Sequence, residues 1–226
     1  MHCKRFPLGT LWTNTYVAWD ESGVGFIVDP AEDMKEILSF VREKNISIKA
    51  VLLTHGHLDH VGGLKSWMSL QHSNLRNPAM PVYIGAGDAV MLRFPDGNTA
   101  KWMECDFEGM ESFSTVKDGD TLSFGEMNVS VLETPGHTPG CVCYLASSEA
   151  CVEKGEDLRL LFSGDTLFAR SVGRTDLPRG DSETLHRSLV RLASLPDDLR
   201  VLPGHGPETT IGMERAHNPF WPEEEE

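Results

Sequence analysis

Hydrophobic and polar positions along this chain follow two spacings in turn, one typical of strands and one typical of helices. The stretch 24–31 (VGFIVDPA) is apolar until its Asp-Pro pair, which predicts a strand that stops there. The next stretch, 32–45, has apolar residues three and four positions apart and is predicted to be a helix. The unbroken apolar run 48–54 (IKAVLLT) predicts a strand that is buried on both faces.

The rest of the chain continues this alternation. A pair of strands is expected within 6–23, and a helix is expected over 64–71, after a Gly-Gly pair. A helix followed by a strand is predicted over 181–206, with Asp181 or the serine after it as the helix cap. The segment 93–112 has no clean period and is expected to be a loop, with or without a short helix. Further strands are predicted at 81–85, 113–116, 120–125, 127–134, 141–147 and 158–165.

The two halves of the chain each mix strands with helices. This arrangement indicates an α/β fold in which two sheets pack on one another and helices cover their outer faces. No linker or change in composition divides the 226 residues. We therefore expect one domain over 1–226, ending in a disordered acidic tail at 221–226.

Composition and charge exclude several classes of partner. A hydrophobic share of 40% and a charged share of 24% are those of a globular protein. No apolar run reaches the roughly 18 residues that a membrane-spanning helix needs, and the N-terminal stretch is too broken for a secretion signal. We therefore expect a cytoplasmic monomer or small homo-oligomer with no membrane partner. The net charge of −14 also disfavours nucleic acid as a partner.

Chemically active side chains gather where the predicted strands end. The motif THGHLDH begins at the end of the buried strand 48–54. Alternate side chains of an extended chain point the same way, so His55 and His57 can hold one cation. An isolated aspartate at this point would most often cap the following helix. Three histidines beside Asp59, among them His60, make that explanation insufficient.

Three further strands are each followed by a turn with Gly or Pro and then by a potential ligand. These ligands are His137 in VSVLETPGHTPG, Asp165 in LRLLFSGDTLF and His205 in LRVLPGHGPETT. A single aspartate in SGDT would more often be a turn residue, but the repetition favours side chains that converge on one metal site. Five imidazoles and two carboxylates suit zinc, iron or manganese, and are too rich in nitrogen for calcium or magnesium. The remaining histidines are expected to be surface or helix residues: His2, His72, His186 and His217.

The motif THGHLDH and the three downstream ligands together resemble the metallo-β-lactamase superfamily, from about residue 15 to about residue 210. The segments TPGHTPG, FSGDTLF, VGRTDLPRGD and LPGHGPETTIGMER are most similar to glyoxalase II (hydroxyacylglutathione hydrolase) and its small single-domain relatives. The resemblance implies a four-layer αββα sandwich with a site for two metal ions at one edge of the sheets.

The resemblance also implies a role for each ligand. The implied ligands are His55, His57 and His137 for the first ion, Asp59, His60 and His205 for the second, and Asp165 as the bridge between them. The expected cofactors are two divalent ions, zinc first, with iron or manganese as alternatives. A metal-bridging hydroxide would be the nucleophile, oriented by Asp59 and Asp165, so no covalent intermediate is expected.

A thioester hydrolase of the glyoxalase II type is therefore the expected activity. Two divalent ions carry about one more unit of positive charge than two aspartates and a hydroxide neutralise, which favours a small anionic acyl thioester as substrate.

Arg174 matches a glyoxalase II residue that contacts the glutathione part of the substrate, but it is as easily explained as a surface ion-pair residue. We expect Asp176 to hold Arg174 or its loop. Only 21 residues follow His205, too few for the helical domain with which glyoxalase II clamps glutathione, and this puts S-lactoylglutathione in doubt.

Other activities remain open on the same residues. A mononuclear iron persulfide dioxygenase would use only His55, His137 and Asp165, and its family also carries a GRTD stretch. Hydrolysis of a lactone or a phosphodiester is a third possibility. Secreted β-lactamases carry a signal peptide and typically a cysteine where this chain has Asp165. Purely structural metals fit worst, because structural sites are closed cages of four ligands.

Overall fold

Two six-stranded sheets form the framework of the protein. The computed structural model describes residues 1–72, 80–94, 99, 107–148 and 159–222. The first sheet contains, in spatial order, β1 (His2–Leu8), β2 (Thr13–Trp19), β3 (Val24–Val28), β4 (Ser47–Leu53), β5 (Val82–Gly85) and β6 (Ser114–Val116). The second sheet contains β7 (Thr121–Phe124), β8 (Met127–Glu133), β9 (Val142–Ser148), β10 (Leu160–Gly164), β13 (Arg200–Pro203) and β14 (Thr209–Thr210). A small hairpin pairs β11 (Leu167–Phe168) with β12 (Ser171–Val172).

The described helices are short and lie between or after the strands. They are α1 (Lys35–Glu43), α2 (Leu58–Val61), α3 (Leu64–His72), α4 (Ala89–Arg93), α5 (Ser182–Ala193) and α6 (Ile211–His217), with a 3-10 turn at Ala86–Asp88 before α4. Within the described ranges, every helix is too short or too polar to cross a membrane.

Alternation along single strands builds three apolar layers. In β10, Leu160 and Phe162 face the cluster between the two sheets, whereas Leu161 faces the opposite way, toward α5. In β2, Tyr16 points into the same central cluster, and Val17 belongs to the layer under α1 and α3. Side chains of successive strand residues point to opposite faces, so each sheet has a buried inner face and a helix-covered outer face. The expected α/β sandwich with outer helices is confirmed.

Most predicted elements are present, with ends displaced by a few residues. The helix expected over 32–45 is Lys35–Glu43, and the strand expected over 48–54 is Ser47–Leu53. Asp181 is the cap of α5, where its side chain accepts a hydrogen bond from the Thr184 amide. The predictions missed the elements whose segments are too short to show a period: α2, α4, α6, β11, β12 and β14. The segment 93–112 falls partly outside the described residues, and its described part beyond Arg93 contains neither helix nor strand.

The tail expected at 221–226 begins later than predicted. Trp221 packs against the apolar layer under α5, and the Arg215 guanidinium lies 5.5 Å from the centre of its ring. The prediction was therefore wrong for Trp221, because an apolar ring next to an acidic run can still be buried against the fold. Residues 223–226 lie outside the described residues.

Replacement of Phe162 tests whether the layer between the sheets holds the sandwich together. Phe162 is fully buried and makes edge contacts with the rings of Tyr16 and Phe26. We expect Phe162→Ala to lower the free energy of unfolding by about 3–5 kcal/mol, because it leaves a cavity in a close-packed layer. Phe220→Ala, at a side chain that is 54% exposed, should cost only about 0.5 kcal/mol. Urea unfolding of both variants measures the free energy that each one loses. Equal losses of free energy would contradict this description of the core.

Candidate metal centre

The ends of four strands bring the predicted ligands to one edge of the sandwich. In the second sheet β8, β10 and β13 run in the same direction, so their carboxyl ends meet at one edge. These ends lead into His137, Asp165 and His205, respectively. In the first sheet β4 leads into the THGHLDH motif. A backbone bridge between Thr13 and His205 joins the two sheets at this edge.

All seven predicted ligands lie together there. Their ligand atoms form three overlapping groups, and within each group the atoms are no more than 4.8 Å apart. The groups are His55, His57 and His137; His55, His60 and Asp165; and Asp59, His60 and His205. The first and third of these groups are the two ligand sets that the sequence predicted.

Asp165 lies between the two sets. Its Oδ1 is 3.3 Å from His60 Nε2, and its Oδ2 is 3.4 Å from His205 Nε2 and 3.6 Å from His137 Nε2. The carboxylate therefore contacts imidazoles of both sets, as a bridging ligand must. Asp59 contacts only the second set, with Oδ2 3.4 Å from His60 Nε2 and 3.3 Å from His205 Nε2.

The hydrogen bonds around His55 determine which of its nitrogens carries a proton. The Thr54 hydroxyl donates its proton to Asp29 Oδ2 at 2.6 Å, so it can only accept from His55 Nδ1, which lies 3.1 Å away. The proton of a neutral His55 is therefore on Nδ1, and its Nε2 presents a lone pair to the site. That Nε2 is buried and has no hydrogen-bond partner among the described residues.

Three other histidines are oriented in the same manner. The Nδ1 of His60 lies 2.9 Å from Asp29 Oδ2, that of His137 lies 2.6 Å from the carbonyl oxygen of Arg174, and that of His205 lies 3.2 Å from the carbonyl oxygen of Leu11. In each case the ring donates from Nδ1 and directs Nε2 into the site. Histidines that bind metals commonly have such an outer partner, which sets both tautomer and ring orientation.

His55 and His57 of the first set are held neutral. Burial and the neighbouring His137 lower the pKa of His57 to about 3. Burial and the charge of His60 hold the pKa of His55 well below its usual range. Neutral imidazole is the form that binds a metal ion. His55 and His57 can therefore coordinate an ion without first losing a proton.

The second set has the opposite electrostatics. Burial opposes a charge on His60, but the carboxylates of Asp165 and Asp59 outweigh it and hold the pKa of His60 well above its usual range. Burial also opposes a charge on His205, but hydrogen bonds to the same carboxylates raise its pKa to about 9. Burial alone would raise the pKa of Asp59, and these two imidazoles lower it to about 2. Two protonated imidazoles thus supply the positive charge that balances these carboxylates.

The residues present fit a pair of divalent ions. His55 Nε2 is buried without a hydrogen-bond partner in the described part of the chain, and Asp165 Oδ1 there has an ion-pair contact with His60 Nε2 at 3.3 Å but no hydrogen bond. Such orphaned atoms are costly unless a cation or another group satisfies them. The adjacent backbone packs closely against these ligands, since a Cβ on Gly204 would lie 2.2 Å from Asp165 Oδ1 and 2.7 Å from His60 Cε1.

A cavity of about 390 Å³ opens beside the ligands. The ligands His57, Asp59, His137, Asp165 and His205 line its floor, and the remaining lining residues are Leu11, Thr99, Phe168, Val172, Arg174 and Leu177. The exposed Arg174 side chain lies at the rim and forms two hydrogen bonds of 2.7 Å with Asp176. The prediction that Asp176 holds Arg174 is confirmed.

The structure also bears on Asp59 and on the histidines that were predicted to lie outside the site. Asp59 does not cap α2, whose N-terminus has no side-chain cap, but accepts a hydrogen bond from the Thr13 hydroxyl. The exposed His2 has its Nε2 3.0 Å from a carboxylate oxygen of Glu21. His186 and His217 are exposed on helices, and the side chain of His72 lies outside the described residues.

The sequence analysis missed the supporting residues. Asp29 was interpreted only as a strand stop, although it stands at a strand end as Asp165 does. That shared position was the available signal for its role beside His60. No sequence signal pointed to the apolar wall of the cavity, because Leu11 and Phe168 come from two separate hairpins that meet only in the fold.

The raised pKa values of the second set predict proton release on metal binding. At pH 7 His60 and His205 are protonated in the metal-free protein, and each must lose that proton to bind an ion. Metal affinity should therefore increase as pH rises from 7 toward about 9, the pKa of His205. Calorimetry with zinc in two buffers of different ionisation enthalpy measures the protons released. Binding without proton release would contradict the assigned protonation.

The chain is similar to known proteins in both sequence and structure. The chain matches the metallo-beta-lactamase superfamily over residues 9–205. An uncharacterized protein of Mycobacterium leprae (strain TN) is 39% identical over 95% of this chain and 96% of its own length. The hydroxyacylglutathione hydrolase GloC of Haemophilus influenzae is 31% identical over 97% of this chain and 98% of its own length.

Solved structures give the same result. The crystal structure of BLEG-1 B3 metallo-beta-lactamase superposes with a TM-score of 0.83 and 32% identity, covering 97% of this chain and 99% of that one. The crystal structure of TTHA1623 in a di-iron-bound form has a TM-score of 0.79 and 33% identity, covering 96% of this chain and 99% of that one. Sequence motifs, the two-sheet architecture and the histidine and aspartate edge thus agree, and the chain belongs to the metallo-β-lactamase superfamily.

Proposed function

We propose that this protein is a thioester hydrolase of the hydroxyacylglutathione hydrolase type that works with two metal ions. The observation that carries the proposal is the position of Asp165, whose two oxygens contact imidazoles of both ligand sets. A site for a single ion would need only one ligand set, so the meeting of both sets at Asp165 favours two ions. The likeness to GloC supports the choice of a thioester among the substrates that metallo-hydrolases of this superfamily accept.

The proposed ligands follow from the geometry. The first ion would be held by His55, His57 and His137 and the second by Asp59, His60 and His205, with Asp165 within reach of both. When bound, two such ions supply a hydroxide at neutral pH and polarise a carbonyl group. Zinc suits this donor set. Iron is the second metal to test, because the similar protein TTHA1623 was solved in a di-iron-bound form.

The chain's own residues supply orientation and charge. Asp59 stays ionised at neutral pH, since its pKa lies at about 2, and it can accept a hydrogen bond from the attacking water. The cysteines near the site do not offer a covalent route. Burial raises the pKa of Cys143 to about 11 and holds that of Cys141 well above its usual range, so both remain thiols. Direct attack by water is therefore proposed.

The cavity supports a small acyl thioester with an anionic group as the substrate. Leu11, Phe168 and Val172 give it apolar walls, and the Arg174 guanidinium adds a cation at the rim of an otherwise acidic protein. An apolar wall suits the acyl and thiol carbon chains, whereas a rim cation attracts a carboxylate. Nucleic acid and membranes are not proposed as partners.

The organisation of the protein remains part of the proposal. We propose that residues 1–226 act as one domain and as a monomer or small homo-oligomer. The free thiols of Cys3, Cys141 and Cys143 fit the reducing conditions of the cytoplasm.

An activity panel on the metal-loaded protein tests the proposed reaction. We expect hydrolysis of acylglutathione thioesters at a higher kcat/KM than that of lactones or β-lactams, lost on chelation and restored by zinc. His57→Ala should reduce the rate to background because it removes a ligand of the first ion. His186→Ala, the same change on an exposed helix face, should have no effect. One iron per chain with oxygen consumption on a persulfide would establish the dioxygenase instead.

Arg174→Ala tests the rim cation. The backbone carbonyl that holds His137 remains, so kcat should change little. KM for carboxylate-bearing thioesters should rise about fivefold, the modest effect expected from the loss of an exposed charge. Arg187→Ala is the matched control, because Arg187 is equally exposed and paired with Glu183 on α5. A similar rise for an uncharged thioester would contradict the electrostatic role.

A further inference from the structure

Asp88 is a fully buried carboxylate that is not one of the proposed ligands. It ends the short 3-10 turn before α4. Three donors converge on it: the Gly56 amide on Oδ2 at 2.9 Å, the Thr138 hydroxyl on Oδ2 at 2.6 Å and the Gly140 amide on Oδ1 at 2.8 Å. A buried charge is retained only when its surroundings satisfy it this fully.

The donors come from the two loops that carry the first ligand set. Gly56 stands between His55 and His57, at the end of β4 in the first sheet. Thr138 directly follows His137, in the loop after β8 of the second sheet. One carboxylate thus ties together the loops that hold all three imidazoles of that set.

Both loops pack closely against the segment that carries Asp88. A Cβ on Gly140 would lie 2.2 Å from the Asp88 amide nitrogen, and a Cβ on Gly56 would lie 2.8 Å from Met91 Cβ. A Cβ on Gly87 would lie 2.5 Å from the carbonyl oxygen of Pro139. In such close packing a shift of one loop displaces the other.

Only a carboxylate satisfies this arrangement. All three partners donate protons, and an ionised carboxylate only accepts. The amide of an asparagine would keep one accepting oxygen and direct its NH₂ group at a donor on the other side. A buried donor facing a donor is unfavourable, so the two loops would move apart.

We propose that Asp88 is a positioning residue that sets the spacing of the His55–His57 loop and the His137 loop, and through it the affinity of the first metal position. The inference rests on the proposed metal centre and does not depend on the substrate.

Zinc titration against a competing chelator tests the inference in the full-length protein. We expect Asp88→Asn to weaken one of two binding events by about 10–100-fold, the usual effect of losing an outer partner of metal ligands. The other event should be unchanged. Tight binding of both ions by a folded Asp88→Asn protein would overturn the inference.

Asp20→Asn is the matched control. Asp20 is also buried and also joins turns of the two sheets, since it accepts from the amides of Ser22, Val24 and Glu126. It follows β2 at the end away from Thr13, and therefore lies at the edge opposite the ligands. We expect Asp20→Asn to lower stability without changing metal affinity. Equal weakening in both variants would show a merely structural role and overturn the inference.

A second pair of variants covers the case in which Asp88→Asn does not fold. Thr138→Val keeps the shape of the side chain and removes the hydroxyl that donates to Asp88, whereas Thr138→Ser keeps the hydroxyl. We expect weaker binding of one ion in Thr138→Val and restored affinity in Thr138→Ser. Equal affinities in the two variants would overturn the inference.

A double-mutant comparison identifies which ion is affected. With His205→Ala the ion left is the first, and adding Asp88→Asn should still weaken it about 10–100-fold. With His57→Ala the ion left is the second, and adding Asp88→Asn should not change it. The reverse pattern would overturn the inference. Failure of the wild-type protein to bind two ions would instead refute the proposed metal centre.

Discussion

The structure depends on the need to balance charge at one buried edge. Asp59 and Asp165 bring two negative charges next to the fully buried imidazole of His60 and the partly buried imidazole of His205. Buried charges are tolerated only when they are paired. Protonated His60 and His205 provide that pairing, and in the proposed metal centre divalent ions would take over this role. The same contacts that make the carboxylates acceptable in the fold therefore make the edge a place for cations.

A second set of contacts keeps these groups in position. Asp29 accepts hydrogen bonds from the Thr54 amide and hydroxyl and lies beside His60 Nδ1. In this way one carboxylate at the end of β3 orients histidines of both ligand sets, His60 directly and His55 through Thr54. Asp88 joins the two loops of the first set from the other side. The rigidity of the edge comes from these outer carboxylates and from the strands behind them, whose apolar residues fill the layer between the sheets.

The chemistry and the choice of substrate belong to different parts of the fold. The ligands stand at strand ends, where the sheet framework leaves little freedom. The cavity walls come from the first hairpin, the small β11–β12 hairpin and the loop that carries Arg174. Turns of this kind can vary without disturbing the layers underneath. One framework can thus serve a β-lactamase, a di-iron protein and a thioester hydrolase, and the walls rather than the ligands carry the evidence about the substrate.

The sequence by itself determined the elements with a clear period and the identity of the ligands. β4, α1 and α5 follow from apolar spacing, because burial of one face or of both imposes that spacing directly. The ligands could be found because each follows a strand and a sharp turn, a local signal that recurs along the chain. The resemblance to a known family implied how they divide between two positions. The tertiary structure alone decided the distances from Asp165 to His60, His137 and His205, since these depend on how both sheets close. It also decided the roles of Asp29 and Asp88 and the contact of Leu11 with the cavity. These depend on residues far apart in the chain, and no local pattern records such contacts.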